Sequence, residues 1–435
     1  MKLIDLLVRC ADRLWNGPKA RFQSKLLTSL PEAKLRASSH DSHVRNGAAK
    51  GFQSVDLASG APQSDTPEAL KAAACLAITA GENQYGEANG DMELRQRYAR
   101  YVLNDTGVTV DPVHHVTVVS GTSSALAAVL LSTVDPGDQV LVFEPYFEGY
   151  AQAIAMARAE VVPVPLDVDE KSGEWQINGE RLASLVGHRT RAIILNSPHN
   201  PTGRVFSRAE LQVIADVAQA YDLLVISDEI YARLVYGQDK HVSIRSLPGM
   251  TSRSVVIDGL SKTHSASGWR IGFILAPSSL TAQVRRIVAA LGLSAPTPLV
   301  VASRAAFPQP TDQYAAALTA GLDASRLQLQ AAGLRLAEAL RAKGFVVSSP
   351  QGATYLLVTH RQLTAEHVRT DTHRAVLYPH ARLADVLLQK FALKTTPGDA
   401  FFSQGGEDWV RICFARSDQT IDQAVQNLSQ GDSHE

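Results

Sequence analysis

Alternation of apolar, strand-like runs with segments of helical periodicity is the feature of this sequence that most restricts its fold. From about residue 90, the apolar pattern predicts strands over residues 116–119, 139–143, 160–164, 191–195, 223–227, 254–258 and 271–275. Helical segments lie between most of these strands, for example over residues 123–133, 147–158, 208–221 and 280–291. Strand, helix, strand order implies a mainly parallel sheet covered on both faces. The sequence therefore predicts an α/β large domain with a mostly parallel, seven-stranded sheet.

The regions outside this alternation predict further parts of the molecule. Residues 312–343 read as one long Ala- and Leu-rich helix that Gly344 ends, and a smaller α+β unit begins near Phe345. We predict a partly flexible arm over residues 1–50, with a short amphipathic helix over residues 3–15, and a segment over 51–80 that joins the small domain. The large domain is predicted over residues 81–311, the connecting helix over 312–343 and the small domain over 344–435.

Composition restricts the partners and the compartment. The 42 Lys and Arg residues nearly balance the 43 Asp and Glu residues, so no overall field favours nucleic acid or a membrane. The first fifty residues differ, with ten basic and four acidic side chains; this arm could dock on a neighbouring subunit or, less simply, contact DNA. Three scattered cysteines fit neither a disulfide framework nor a zinc site, and no stretch predicts a signal sequence or a membrane span. We therefore expect a cytoplasmic protein without metal.

Lys262 is the strongest candidate for covalent chemistry. It lies among small and hydroxylated residues, and Arg270 follows eight positions later. A lysine attacks a carbonyl only when its amine is neutral, and partial burial beside another cation lowers the pKa of the amine. The alternative for this run alone is a surface lysine in a Ser/Gly loop.

Residues that follow the predicted strands are the next candidates, because ligands of open parallel sheets bind at the carboxyl ends of the strands. Residues 120–126 form a small, hydroxylated turn that opens into a helix, which suits either a phosphate or simple N-capping. Residues 144–150 bring aromatic rings for stacking on a flat ring or for core packing. Asn200 lies in a turn fixed by two prolines, and Asp228 needs a cationic or hydrogen-bonding partner after its apolar strand.

These features together describe one ligand. It has a flat ring with a phosphate at one end, a carbonyl that lysine traps and a ring nitrogen whose proton a carboxylate holds. Pyridoxal phosphate has these groups, so the sequence predicts this cofactor.

The chain resembles the class I/II aminotransferases, which are pyridoxal-phosphate enzymes of fold type I with the aspartate aminotransferase architecture. The resemblance covers roughly residues 55–428 and is strongest at residues 200–203, 228–231 and 261–270. It implies that Lys262 carries the internal aldimine and then moves the proton between the substrate Cα and the cofactor. Asp228 matches the partner of the ring nitrogen. Asn200 and Tyr231 match the pair that hydrogen-bond the phenolate oxygen.

The resemblance also implies how the remaining groups are bound. Phosphate-binding positions fall on Gly121, Thr122, Ser123 and Arg270, and Phe147 falls at the ring-stacking position. Tyr85 matches a tyrosine that reaches the phosphate of the neighbouring subunit, which implies a homodimer. On the substrate side, Arg411 matches the arginine for the α-carboxylate, with Asn200 and Gly60 beside it.

The sequence departs from the family pattern in four places. Gly259 replaces a serine that often binds the phosphate three positions before the lysine, so Ser261 or the backbone is expected to compensate. His199 and His264 are unusual next to the site, and each is either a group that supports the site or a structural histidine. Residues 364–381 form a longer and more polar stretch than expected, a candidate for shaping the substrate entrance.

The predicted reaction is transfer of the amino group of an L-α-amino acid to a 2-oxo acid. Residues 291–298 hold no cation where some relatives bind an acidic side chain, so aspartate is less favoured than aromatic, aliphatic or basic substrates. Two alternatives remain open. One is a lyase or cyclase on the same scaffold, comparable to aminocyclopropane-carboxylate synthase or a hydroxyarginine cyclase. The other is a transcription regulator that uses this domain as a sensor.

Overall fold

A seven-stranded sheet forms the centre of the larger unit in the computed structural model, which describes residues 53–237, 240–360, 363 and 382–430. The strand order is β2 (Val116–Val119), β10 (Gly272–Leu275), β9 (Ser254–Gly259), β8 (Leu224–Asp228), β7 (Thr190–Asn196), β3 (Gln139–Glu144) and β4 (Glu160–Pro165). Only β10 runs antiparallel to its neighbours. The predicted mostly parallel sheet is confirmed. The predictions for the arm over 1–50, its helix over 3–15 and the stretch over 364–381 lie outside the described residues.

The seven strands predicted for the large sheet agree with the observed ones to within about two residues at each end. In chain order they are β1 Val55–Asp56, β2 Val116–Val119, β3 Gln139–Glu144, β4 Glu160–Pro165, β5 Asp167–Val168, β6 Trp175–Gln176, β7 Thr190–Asn196, β8 Leu224–Asp228, β9 Ser254–Gly259, β10 Gly272–Leu275, β11 Val346–Val347, β12 Tyr355–Thr359, β13 Leu393–Lys394, β14 Thr396–Pro397 and β15 Trp409–Cys413.

The helices of at least six residues cover this sheet and the smaller one. They are α1 Glu68–Thr79, α2 Met92–Thr106, α3 Thr122–Thr133, α4 Gly149–Met156, α5 Gly179–Ser184, α6 Arg208–Ala220, α7 Ser278–Ala290, α8 Thr297–Ala302, α9 Ala315–Ala342, α10 Leu383–Phe391 and α11 Asp418–Gln430. Within the described residues, none of the helices is long and apolar enough to cross a membrane.

Both faces of the large sheet are buried, as its continuous apolar strands require. In β3, Val140 and Val142 pack with α3, α4 and α7, whereas the alternate residues Leu141 and Phe143 pack with α6 on the other face. Successive side chains of a strand point to opposite faces, which explains this division. The sheet is therefore a rigid frame whose strand ends can hold a site.

The long helix α9 begins three residues later than predicted. The Asp312 carboxylate accepts hydrogen bonds from the Gln309 N–H and from Arg97 instead of lying in the helix. At the other end, Gly344 follows with φ +81°, a left-handed conformation that glycine adopts without strain and that ends the helix.

The C-terminal unit is built on an antiparallel sheet of order β11-β12-β15-β14. The described N-terminal residues join its core: β1 pairs with β13, and Leu57 is buried among residues such as Leu356 and Ile412. The domain limits derived from the sequence remain a prediction. What matters for the site is that β12 and β15 approach the carboxyl ends of β7 and β8.

Candidate active site

Two neighbouring strands of the large sheet end in polar residues that bond to one another. Asn196 ends β7 directly opposite Asp228, which ends β8. The Asn196 amide donates to the Asp228 backbone carbonyl at 2.9 Å, and its Oδ1 accepts from the Asn200 N–H at 2.7 Å. Asn196 therefore fixes the positions of Asp228 and Asn200, a role that the sequence did not single out.

The Asp228 carboxylate has hydrogen bonds but no described cation in ion-pair contact. The Tyr150 hydroxyl donates to Oδ2 at 2.8 Å, and the Ile230 N–H donates to Oδ1 at 3.2 Å. Burial raises the pKa of Asp228 to about 6 although both bonds act in the opposite direction. A protonated ring nitrogen is the kind of cation that such a carboxylate lacks.

Lys262 follows β9 by three residues and reaches towards the same strand ends. Its Nζ donates to the Gly60 carbonyl at 2.8 Å and lies 5.9 Å from the centre of the Tyr231 ring. Gly60 belongs to the chain segment that leaves the C-terminal unit. The predicted nucleophile and one predicted substrate-side residue are thus in direct contact.

Tyr231 is bonded to a second tyrosine that the sequence did not indicate. Its hydroxyl and that of Tyr355 are 3.0 Å apart, and both rings are buried. Burial and the neighbouring Tyr355 raise the pKa of Tyr231 well above its usual value. Tyr231 is therefore a neutral hydroxyl that can donate a hydrogen bond at neutral pH.

Arg411 is a buried guanidinium without an acidic partner among the described residues. It donates from Nη1 to the Asn200 side-chain oxygen at 3.1 Å and from Nη2 to the Ala58 carbonyl at 3.2 Å. It lies 4.3 Å from the centre of the Tyr355 ring, and its Nε has no hydrogen-bond partner in the described part of the chain. A buried cation with an unused donor fits an anionic ligand, because burying an uncompensated charge is costly.

A backbone cradle beside Arg270 lies at the start of α3. Gly121 precedes this helix with φ +83°, and a Cβ there would overlap the Arg270 guanidinium. Thr122 and Ser123 open the helix, which has no side-chain cap, and Ser123 is exposed. Free N–H groups at a helix start next to an arginine suit a phosphate.

Packing at β9 explains why a glycine stands where a serine is often found. A Cβ at Gly259 would lie 2.8 Å from the Ile271 carbonyl oxygen and 3.1 Å from the Thr122 methyl group. Ser261 lies buried directly before Lys262. The close approach of β9, β10 and α3 therefore leaves no room for a side chain at position 259.

Phe147 and Tyr85 occupy different surroundings. Phe147 is half-buried, and its ring meets that of Tyr150 edge-on with centres 5.6 Å apart. Since Tyr150 bonds Asp228, Phe147 lies near the carboxylate end of the site. Tyr85 is fully exposed, and the structure does not bring it into contact with the other candidate residues of its own chain.

The two unusual histidines are buried and neutral at physiological pH. Burial lowers the pKa of both His199 and His264 to about 3. His199 Nδ1 shares a hydrogen bond of 2.8 Å with the Thr202 hydroxyl, and the His264 ring lies edge-on to Phe307. His199 therefore has a local hydrogen-bond partner, whereas both ring nitrogens of His264 are without one among the described residues.

Comparison with known proteins places this site in a family. The family model for aminotransferase class I and II matches residues 53–428, and the chain belongs to this family. A probable N-succinyldiaminopimelate aminotransferase of Mycobacterium tuberculosis is 35% identical over 378 residues, which are 86% of this chain and 91% of that protein. The aspartate aminotransferase of Geobacillus stearothermophilus is 31% identical, over 87% of this chain and 91% of its own.

Solved structures agree with this assignment. The N-succinyldiaminopimelate aminotransferase of Mycobacterium tuberculosis superposes with a TM-score of 0.80 and 32% identity, covering 94% of this chain and 100% of that one. Thermus thermophilus aspartate aminotransferase with maleate gives a TM-score of 0.79 at 27% identity, covering 94% of this chain and 99% of that one.

The chain is therefore an enzyme of the aminotransferase class with the fold type I architecture, and it transfers amino groups between amino acids and 2-oxo acids. Members of this family use pyridoxal phosphate. The named relatives are aminotransferases, which supports amino-group transfer over the elimination, cyclisation and regulatory alternatives.

Proposed function

We propose that this chain binds pyridoxal phosphate at the strand ends and uses it to transaminate an L-α-amino acid with a 2-oxo acid. The observation that carries the proposal is the meeting of three groups: a lysine amine, a carboxylate and a guanidinium, of which the last two have no oppositely charged partner among the described residues. Lys262, Asp228 and Arg411 supply these groups from three parts of the chain. When bound, the cofactor supplies an electron-accepting ring that stabilises negative charge at the substrate Cα.

The protein groups fit such a cofactor along its whole length. Asp228, partly held in place by Tyr150, would keep the ring nitrogen protonated, and Phe147 would stack on the ring. Asn200 and Tyr231 would donate hydrogen bonds to the phenolate oxygen. The phosphate is held by Arg270 and Ser261 and by the start of α3, whose residues are Gly121, Thr122 and Ser123.

Lys262 performs two tasks in this proposal. Its amine would hold the cofactor, and when the substrate amine takes that place, the freed Lys262 amine would act as the base that moves the proton at the substrate Cα. The Gly60 carbonyl supports this role because its hydrogen bond to Nζ restricts where the amine lies.

Arg411 binds the substrate α-carboxylate. Its planar fork suits two carboxylate oxygens, and its bonds to Asn200 and Ala58 hold the fork in place. The Gly60 N–H has no hydrogen-bond partner among the described residues, so it is also available as a donor. The site restricts the identity of the substrate side chain less than it restricts the α-carboxylate. The relatives likewise differ in the substrates that their names state.

A cytoplasmic homodimer is the proposed assembly. Three large side chains in this region are exposed: Leu76 and Ile78 of α1, and Tyr85. The helix α1 packs on α8, and the Gly86 N–H donates to Thr297 in α8 at 3.0 Å. A second subunit would cover these side chains and receive Tyr85 beside its phosphate site.

The test is covalent labelling. Purified protein mixed with pyridoxal phosphate and reduced with borohydride should retain a pyridoxyl group on the peptide that contains Lys262, and Lys262→Ala should not. With a donor amino acid and a 2-oxo acid, one new amino acid should form for each 2-oxo acid consumed, without ammonia. Absence of the labelled peptide refutes the cofactor site, and ammonia release indicates elimination.

A further inference from the structure

The segment that carries Gly60 touches both ends of the proposed substrate site. We call residues 56–61 the Gly60 loop. The Gly60 carbonyl accepts a hydrogen bond of 2.8 Å from the Lys262 amine. The Ala58 carbonyl accepts hydrogen bonds from the Arg411 guanidinium at 3.2 Å and from the Thr396 hydroxyl at 3.0 Å. The shape of this loop therefore decides where the amine and the guanidinium lie.

The loop has little support of its own. Beyond Asp56 the loop has no helix or strand. Within the loop, the Ala58 and Ser59 N–H groups donate to the Asp56 carboxylate, and the Ala61 N–H donates to the Ser59 hydroxyl at 3.4 Å. Gly60 cannot hold it by a side chain, since a Cβ there would lie 2.6 Å from the Tyr355 hydroxyl oxygen. The support must come from outside.

Besides the backbone hydrogen bonds of Leu57 to Lys394 and Cys413, much of this support comes from one side chain. Arg416, three residues after β15, donates from Nε to the Asp56 carbonyl at 2.9 Å and from Nη1 to the Ala61 carbonyl at 3.0 Å, and its Nη2 bonds the Ser59 carbonyl. Nη1 also donates to the Ala415 carbonyl at 2.9 Å. A single rigid, planar group thus binds the beginning, middle and end of the loop.

Within the part of the chain that the structure describes, Arg416 is only 7% exposed and forms no ion pair. All of its hydrogen bonds go to backbone carbonyls. A buried cation used in this way costs desolvation and is suited to fixing a backbone shape.

We propose that Arg416 is a positioning residue, which holds the Gly60 loop so that Lys262 and Arg411 are aligned for the reaction. The inference depends on the proposed function for the roles of Lys262 and Arg411. Both arginines come from β15 or the turn after it, so the C-terminal unit supplies the carboxylate-binding group and the support of the facing loop together.

Arg285 offers a matched control. Its Nη2 donates to the carbonyls of Val113 and Val116, both at 2.8 Å, and its Nε donates to Thr117 at 3.1 Å. Like Arg416 it holds backbone carbonyls, and it also has no described carboxylate partner within ion-pair distance. It lies outside the proposed site, so Arg285→Met reports the effect of losing such an arginine without disturbing the Gly60 loop.

The first measurement is hydrogen–deuterium exchange of the full-length, cofactor-free protein. Arg416→Met should speed exchange in the peptide covering residues 57–63 about tenfold or more. The variant loses the hydrogen bonds that hold the backbone of the Gly60 loop, and it opens this loop to the cavity of about 590 Å³ that Arg416 lines. Arg285→Met should change exchange near residues 113–119 instead. Unchanged exchange at 57–63 overturns the proposal whether or not the protein binds pyridoxal phosphate.

The second measurement is steady-state kinetics of the holoenzyme, expressed per bound cofactor. Arg416→Met should lower kcat/KM for the donor amino acid about 10- to 100-fold, through both kcat and KM, since small displacements of reacting groups have effects of this size. Arg416→Lys, which keeps the charge but not the fork, should recover part of the loss and serves if the methionine variant does not fold. Lower stability with unchanged kcat and KM would make Arg416 merely structural and overturn the proposal.

Discussion

At the scale of single residues, the site is defined by charges that the protein itself leaves uncompensated. Asp228 has neutral hydrogen-bond donors, and Arg411 has neutral acceptors and an aromatic ring. Buried groups of this kind lower the stability of the free protein and are retained when a ligand completes them. The arrangement indicates that the cofactor and the substrate each bring the charge that is missing.

Asp228→Asn should stabilise the cofactor-free protein at high pH. The pKa of Asp228 is raised to about 6 from 3.8, so the native state binds more protons than the unfolded state between these values, and stability falls as the pH rises through this window. The variant should gain about 1–3 kcal/mol in unfolding free energy at pH 8 and nothing at pH 4. Urea denaturation at both pH values measures the difference.

Asp222→Asn is the control for this prediction. Asp222 precedes the other end of β8 with φ +53°, which asparagine also tolerates, and its side chain is 92% exposed in an ion pair with Arg253. Its substitution should change stability by less than about 0.5 kcal/mol. An Asp228→Asn variant that is no more stable than this control at pH 8 would contradict the prediction.

The sequence predicted those candidate site residues that lie in short local patterns, such as Lys262, Asp228 and Asn200. It did not predict Asn196, Tyr150 or Tyr355, whose partners are distant along the chain. Tyr355 bonds Tyr231 across 124 positions, and nothing in its own neighbourhood distinguishes it from a core tyrosine. Such roles arise only when the strand ends are brought together.

At the scale of elements, apolar periodicity located the strands of the large sheet closely. It could not give the direction of β10, because a buried strand has the same pattern whether it runs parallel or antiparallel to its neighbours. The connection from β9 to β10 holds no α-helix and carries Lys262 instead. That short connection is what reverses the chain.

Two glycines within α9 should respond differently to alanine. A Cβ at Gly321 meets nothing within 4 Å, so Gly321→Ala should stabilise the protein by about 0.5–1 kcal/mol through helix propensity and lower unfolded-state entropy. A Cβ at Gly333 lies 3.2 Å from Pro350 and 3.3 Å from Phe414, so crowding should cancel the gain there. Thermal unfolding of both variants tests this; equal gains would refute the packing argument.

At the scale of the whole molecule, the proposed homodimer would combine Lys262 of one subunit with Tyr85 of the other. Tyr85→Ala and Lys262→Ala should each have little activity as pure proteins. Coexpressed, they should form mixed dimers in which one site has an intact Lys262 and an intact Tyr85 from the other subunit. Random association of subunits should then restore about a quarter of the wild-type activity.

Complementation of this kind separates the two possible arrangements. If Tyr85 acted within its own subunit, neither site of a mixed dimer would be complete and activity would not return. Light scattering on the wild-type protein provides the accompanying check, because a monomer at assay concentration would exclude any shared site.

The unused Nε donor of Arg411 has a practical consequence for handling the enzyme. Acetate, citrate and similar buffer anions offer the same oxygen pair as a substrate and will compete for this guanidinium. Affinities measured in such solutions will be too weak, by a factor that grows with buffer concentration. Preparations intended for titration are better kept in a buffer without anionic groups, since any of these can bind the guanidinium that lies beside the Tyr355 and Phe401 rings.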